Sequence, residues 1–108
     1  MKSFHNLTIG GQDYKLRLTA SAIMAIEKKL GKPLFVAIAE EDFQQNMFET
    51  IIAILWGAMQ PFNANYSYEA VMELLNQYID DGNSVDDLMH EFSVLFEVSG
   101  FFKKGQTA

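Results

Sequence analysis

The chain has no cysteine, so neither a disulfide framework nor a thiolate metal site holds it together. Histidine is scarce as well, with two residues in the whole sequence, His5 and His90. These absences disfavour zinc proteins, thiol enzymes and small secreted scaffolds. Long apolar runs are missing too. The strongest, Ile51 to Met59, is about half of the ~20 residues a helix needs to cross a bilayer. The N-terminal residues Met1 to Asn6 lack the hydrophobic core of a signal peptide. A soluble, cytoplasmic protein without a membrane partner is expected. The last absence is of one sign of charge: residues 40–97 contain no Lys or Arg but twelve Asp and Glu, whereas residues 1–39 hold six basic side chains against two acidic ones. With a net charge of −6, such a body repels phosphate backbones and argues against nucleic acid as a partner. The same asymmetry lets the basic end of one copy attract the acidic body of another.

What is present, 108 residues at 49% hydrophobic, suffices for one compact domain. The boundaries expected are a domain over residues 1–102 and a frayed tail over 103–108. Leu7 and Ile9 alternate with polar neighbours, Tyr14 to Leu18 alternate again, and Gly10-Gly11 lies between; this predicts a hairpin over 4–18 with one apolar face. Thr19 is placed to cap a helix over 20–30 that ends at Gly31. A short helix follows at 34–40. Asp42 and Gln45 suggest a capping box opening a helix over 43–60, apolar all round and therefore central. Ser67 and Ser84 are placed to cap helices over 68–81 and 85–99. The fold class expected is α+β, mostly α: an N-terminal β-hairpin packed on a bundle of about four to five helices.

Candidate chemistry is thin. His90 follows Asp86 by four residues and Asp87 by three, which puts an imidazole beside two carboxylates on one helical face. That pattern suits an acid–base pair or a weak metal site, and equally a solvated face. Glu40-Glu41-Asp42 lacks the alternating oxygen ligands and central glycine of an EF-hand loop. Gly10-Gly11 has no phosphate-binding context. Ser67 and Ser84 have no histidine to activate them. The residues therefore point to no catalytic, cofactor or metal site, and to a protein that is not an enzyme.

Six methionines, nine phenylalanines, four tyrosines and one tryptophan raise a different possibility, because Met adapts to irregular partners. Met24, Met47, Met59, Met72 and Met89 recur along the predicted helices; they fill a core or line a groove that accepts an apolar helix. Phe101 and Phe102 either fold back on the domain or dock on another chain. The number of apolar stripes in so short a chain points to self-association or partner binding.

The stretch from Tyr14 to Thr19 leading into Ile23, Ile26-Glu27-Lys28-Lys29-Leu30-Gly31 and Lys32-Pro33-Leu34 resembles the small tail assembly chaperones of long-tailed phages and prophages. It is similar also to the small tail proteins of gene transfer agents. The order is alike: a hairpin, a helix ending in Leu-Gly, a central apolar helix reaching Trp56-Gly57, then two acidic amphipathic helices. The resemblance implies a protein that binds the helical, aggregation-prone tape measure protein and keeps it soluble while the tail tube polymerises, with the tail tube protein as a further candidate partner. It implies no catalytic residues. Such proteins are often made in two lengths by ribosomal frameshifting, and Lys103-Lys104 permits an adenine-rich slip site. The residues expected to contact a client are Trp56, Met59, Phe92, Phe96, Phe101 and Phe102. The competing readings are a structural tail subunit and a small acidic regulatory module that masks a basic partner.

Overall fold

The computed structural model describes residues 3–100. Two glycines make its first turn: Gly10 and Gly11 have φ of 60° and 77°, the pair of positive values that a two-residue type I′ hairpin turn requires. They join β1 (His5–Ile9) to β2 (Gln12–Leu16) as an antiparallel pair with Leu7 opposite Tyr14 and Ile9 opposite Gln12. The two-residue period puts His5, Leu7, Ile9, Tyr14 and Leu16 on one face, of which Leu7, Ile9 and Leu16 are buried. The other face carries polar pairs, among them Thr8 donating to Asp13 across the strands.

Among the described residues six helices follow, so the fold is α+β and mostly α. α1 (Ala20–Leu30) starts at Thr19, whose hydroxyl accepts from the Ala22 amide, and ends at Gly31 in the left-handed region. Lys28 and Lys29 in its last turn oppose the negative end of the helix dipole. The Glu27 carboxylate then accepts from the Leu34 amide at 2.7 Å, holding the start of α2 (Leu34–Ala37) against the end of α1.

The single helix expected over 43–60 is two: α3 (Glu40–Gln45) and α4 (Met47–Met59). Asp42 lies inside α3, where it pairs with Lys32 at 3.0 Å and caps nothing. That pair ties α3 to the link between α1 and α2, and the helix breaks at Asn46, whose amide is shared between the Asp42 and Phe43 carbonyls. The preceding helix also stops short of the expected residue 40, at Ala37. α4 is the central element, with nine of its thirteen residues buried.

α5 (Tyr68–Asp80) and α6 (Val85–Ser99) begin where sequence placed them. Ser67 accepts from the Ala70 amide; Ser84 and Asp87 form a reciprocal capping box. Leu7, Ile9, Leu16 and Leu18 from the hairpin side, Ile26 from α1, Ile51 to Leu55 from α4, Val71 and Tyr78 from α5, and Leu88, Phe92 and Leu95 from α6 make one core. The hairpin and the strand-to-helix link after it are tied over that core to the end of α5 and to α6. His5 meets Glu91 within hydrogen-bond distance, the Leu18 amide donates to Ser99 Oγ at 2.9 Å, and the Gly10 amide donates to Asp81 at 2.6 Å. Among the described residues no helix is long and apolar enough to cross a membrane.

Candidate functional site

Most large side chains of the apolar stripes are spent on the core, so the informative ones are those left outside it. Met59, Phe92 and Phe96, expected at a client surface, are 2%, 4% and 6% exposed. They cannot meet a partner of the folded chain, because α4 and α6 turn these stripes inward under the hairpin. Trp56 is half-buried and already engaged: its ring packs edge-on to Tyr68 at 5.5 Å, and the Lys29 ammonium lies 5.2 Å from the first ring and 4.8 Å from the second. Such cation–ring contacts stabilise a surface junction modestly. Phe101 and Phe102 lie outside the described residues.

The exposed apolar surface lies elsewhere. Phe48, at the start of α4, is 57% exposed, and Met72, one turn into α5, is 42% exposed. Between them runs a shallow groove of about 420 Å³, floored by Ile52 and Leu75 and lined along α5 by Glu69, Glu73 and Asn76. The spacing explains the arrangement. Phe48 and Ile52 are one turn apart on α4; Glu69, Met72, Glu73 and Asn76 recur at three and four residues on α5, so both helices present continuous rows to the gap. The helical period puts Phe48 on the row of Ile52 and Met72 on the row of Leu75, and the sequence leaves open whether the recurring methionines fill a core or line a groove. Each stripe is wider than the contact between the two helices, and its outer margin is what remains uncovered.

The groove is acidic as well as apolar. Glu69 and Glu73 on its wall are exposed. Outside its lining, burial pushes the Tyr68 phenol above its usual range and the Glu49 charge adds to that. Among the described residues no basic side chain lines the groove. The nearby cation, Lys29, sits on the Trp56 and Tyr68 rings.

The other candidates resolve into structural roles. Asp87 is committed to the Ser84 cap, whose amide is the main reason its carboxyl titrates below the usual range, while His90 stands exposed nearby and adds a smaller effect of the same sign. Gly10-Gly11 forms the hairpin turn, and Ser67 and Ser84 cap helices. Among the described residues no three His, Cys, Asp or Glu side chains come together as a group able to hold a metal ion. Outside the groove, the large apolar side chains exposed among the described residues are Phe35 and Val36, adjacent on α2 at 69% and 47%, Met24 on α1 at 70%, Ile79 on α5, and Phe4 with Phe62, which pack edge-on at 5.8 Å beneath the Lys15 ammonium.

No curated protein and no solved structure matches the chain. The model of one family, a family of unknown function, matches it over residues 1–108. The chain therefore belongs to that family, DUF6096.

Proposed function

We propose that this protein is a binding protein of the tail assembly chaperone kind, which holds apolar helical segments of a tape measure protein in the host cytoplasm until the tail tube forms around them. The observation that carries this reading is the groove between α4 and α5, where Phe48 and Met72 stand exposed over a floor of Ile52 and Leu75. A holdase needs an apolar surface that adapts to its client, which an unbranched Met and a free-standing ring supply. It needs also an exterior that keeps complexes apart, and the run of residues 40–97 without Lys or Arg provides like charge for that purpose. The order of elements, a hairpin followed by a Leu-Gly-terminated helix, a central apolar helix and two acidic helices, is the order on which the resemblance to tail assembly chaperones rests.

Co-expression with the large, helix-rich protein encoded just downstream tests the reading. A tape measure client stays in the soluble fraction and co-purifies with the wild-type chain, and Phe48→Ser with Met72→Ser lowers its recovery severalfold while leaving the small protein folded. Failure to retain the client, with the purified chain building rings or tubes on its own, would replace this reading with a structural tail subunit.

A further inference from the structure

We infer that the α4/α5 groove selects a helix whose apolar stripe is flanked by Lys or Arg, so that charge as well as greasiness decides which segment of a partner protein binds. The inference rests on the binding reading above and adds the chemistry of the occupant. Its basis is the composition of the walls. Glu69 and Glu73 line the α5 side, Asn76 is the remaining polar residue, and among the described residues no cation lines the groove. An apolar floor of Phe48, Ile52, Met72 and Leu75 beside carboxylates complements an amphipathic helix with basic margins. It disfavours one with acidic margins, because like charges approach over a low-dielectric floor.

A second copy of the chain is a poorer occupant for a reason of length. Its α2 does expose Phe35 and Val36, at 69% and 47%, just after Lys32, but α2 is a single four-residue turn, whereas the groove wall from Glu69 to Asn76 spans two helical turns and suits a longer amphipathic helix. Nucleic acid is repelled by the same carboxylates.

The test uses the full chain and two fluorescent synthetic helices with Leu at i, i+3, i+4 and i+7, one flanked by Lys and the other by Glu. At low salt the Lys-flanked helix binds about tenfold or more tightly than its Glu-flanked twin, and the difference narrows as salt screens the rim. Glu69→Gln with Glu73→Gln erases the preference, and Glu69→Lys with Glu73→Lys reverses it. Circular dichroism and Trp56 fluorescence verify that each variant is folded. Phe48→Ser with Met72→Ser weakens both helices together. Equal binding of the two helices, or a preference indifferent to the charge at 69 and 73, would overturn the inference even if the co-expressed client is still rescued. Selective binding of the basic helix without client rescue would sink the tail chaperone reading and leave the groove chemistry standing. Concentration-dependent self-association abolished by Phe48→Ser would assign the groove to a second copy instead.

Discussion

At the scale of single residues, Gly57 shows how closely α1 and α4 cross. A Cβ built on it would run into Ile26 Cγ1, come within 2.6 Å of Ile26 Cδ1 and stand 3.3 Å from the Ala22 carbonyl oxygen. In an isolated helix Ala is better than Gly by ~1 kcal/mol, so propensity alone predicts that Gly57→Ala stabilises. Overpacking a filled core costs about 1–3 kcal/mol, and here the obstructing atoms are the longer arm of Ile26, which is fully buried, with the Ala22 carbonyl oxygen in tight contact behind it. Gly57→Ala is therefore expected to lower stability by about 1–2 kcal/mol. Ile26→Ala alone costs about 2–5 kcal/mol through the cavity it leaves, but in the double variant the new methyl occupies part of that space. Chemical denaturation of the four proteins should give a double-variant loss smaller than the sum of the single losses. Strict additivity would mean that the two helices have moved apart and that the close crossing is not what Gly57 serves.

At the scale of elements, the capping box of α6 makes a prediction with two separable halves. The Ser84 hydroxyl accepts from the Asp87 amide at 3.1 Å, and the Asp87 carboxylate accepts from the Ser84 amide at 2.8 Å. The second bond is the main cause that holds Asp87 below the usual carboxylate range, followed by the bond to the Ser84 side chain. A group whose folded pKa is depressed stabilises the fold above its unfolded pKa, and that contribution disappears as pH falls through the folded value. Asp87→Asn should therefore lower the melting temperature at neutral pH, and the gap to wild type should close as pH falls from the ordinary carboxylate range to below it. Ser84→Ala removes an uncharged acceptor, costing about 1 kcal/mol; the part of its gap that comes from the Asp87 amide bond should persist in acid, while the part that comes through the Asp87 carboxylate fades with it. A gap for Asp87→Asn that stays constant across that window would mean that its charge contributes nothing to the helix start. This element could be read in the sequence because a cap depends on residues three positions apart. The hairpin was readable for the same reason, since Gly10-Gly11 dictates the turn and the two-residue period dictates the face. The break between α3 and α4 was not readable, because the residues around Asn46 keep an apolar helical period and the ion pair of Asp42 is with Lys32, in the link between α1 and α2. The groove was legible only as one of two readings: the recurring methionines, Met72 among them, suited a core or a groove, and only the packed neighbours decide how far Met72 and Phe48 are covered. Met59, Phe92 and Phe96 were misplaced at a surface by the converse error, since a surplus of apolar stripes does not reveal which of them the core consumes.

At the scale of the molecule, the first strands and the last helix stabilise each other. Leu16 and Leu18 are fully buried in a core that also holds Leu88 and Leu95 of α6 and Ile51 to Leu55 of α4. The backbone fixes this arrangement at two points, with the Arg17 amide donating to the Ala58 carbonyl at 2.9 Å and the Leu18 amide to Ser99 Oγ. A two-stranded hairpin is marginal alone, and without it the undersides of α4, α5 and α6 would face water. The hairpin and the helices should therefore unfold in one step. Trp56, the single tryptophan, reports the α1, α4 and α5 junction, while far-ultraviolet circular dichroism reports all the helices. In wild type the two probes should give the same denaturation midpoint. Leu16→Ala deletes a buried side chain far along the chain from Trp56 at a cost of about 2–5 kcal/mol, a large part of the ~5–15 kcal/mol that a domain has in total. It should move both midpoints together and by the same amount. If the Trp56 transition stayed in place while part of the helical signal melted early, the hairpin and α6 would form a separate unit, and the groove between α4 and α5 would be carried by a smaller body that folds without them.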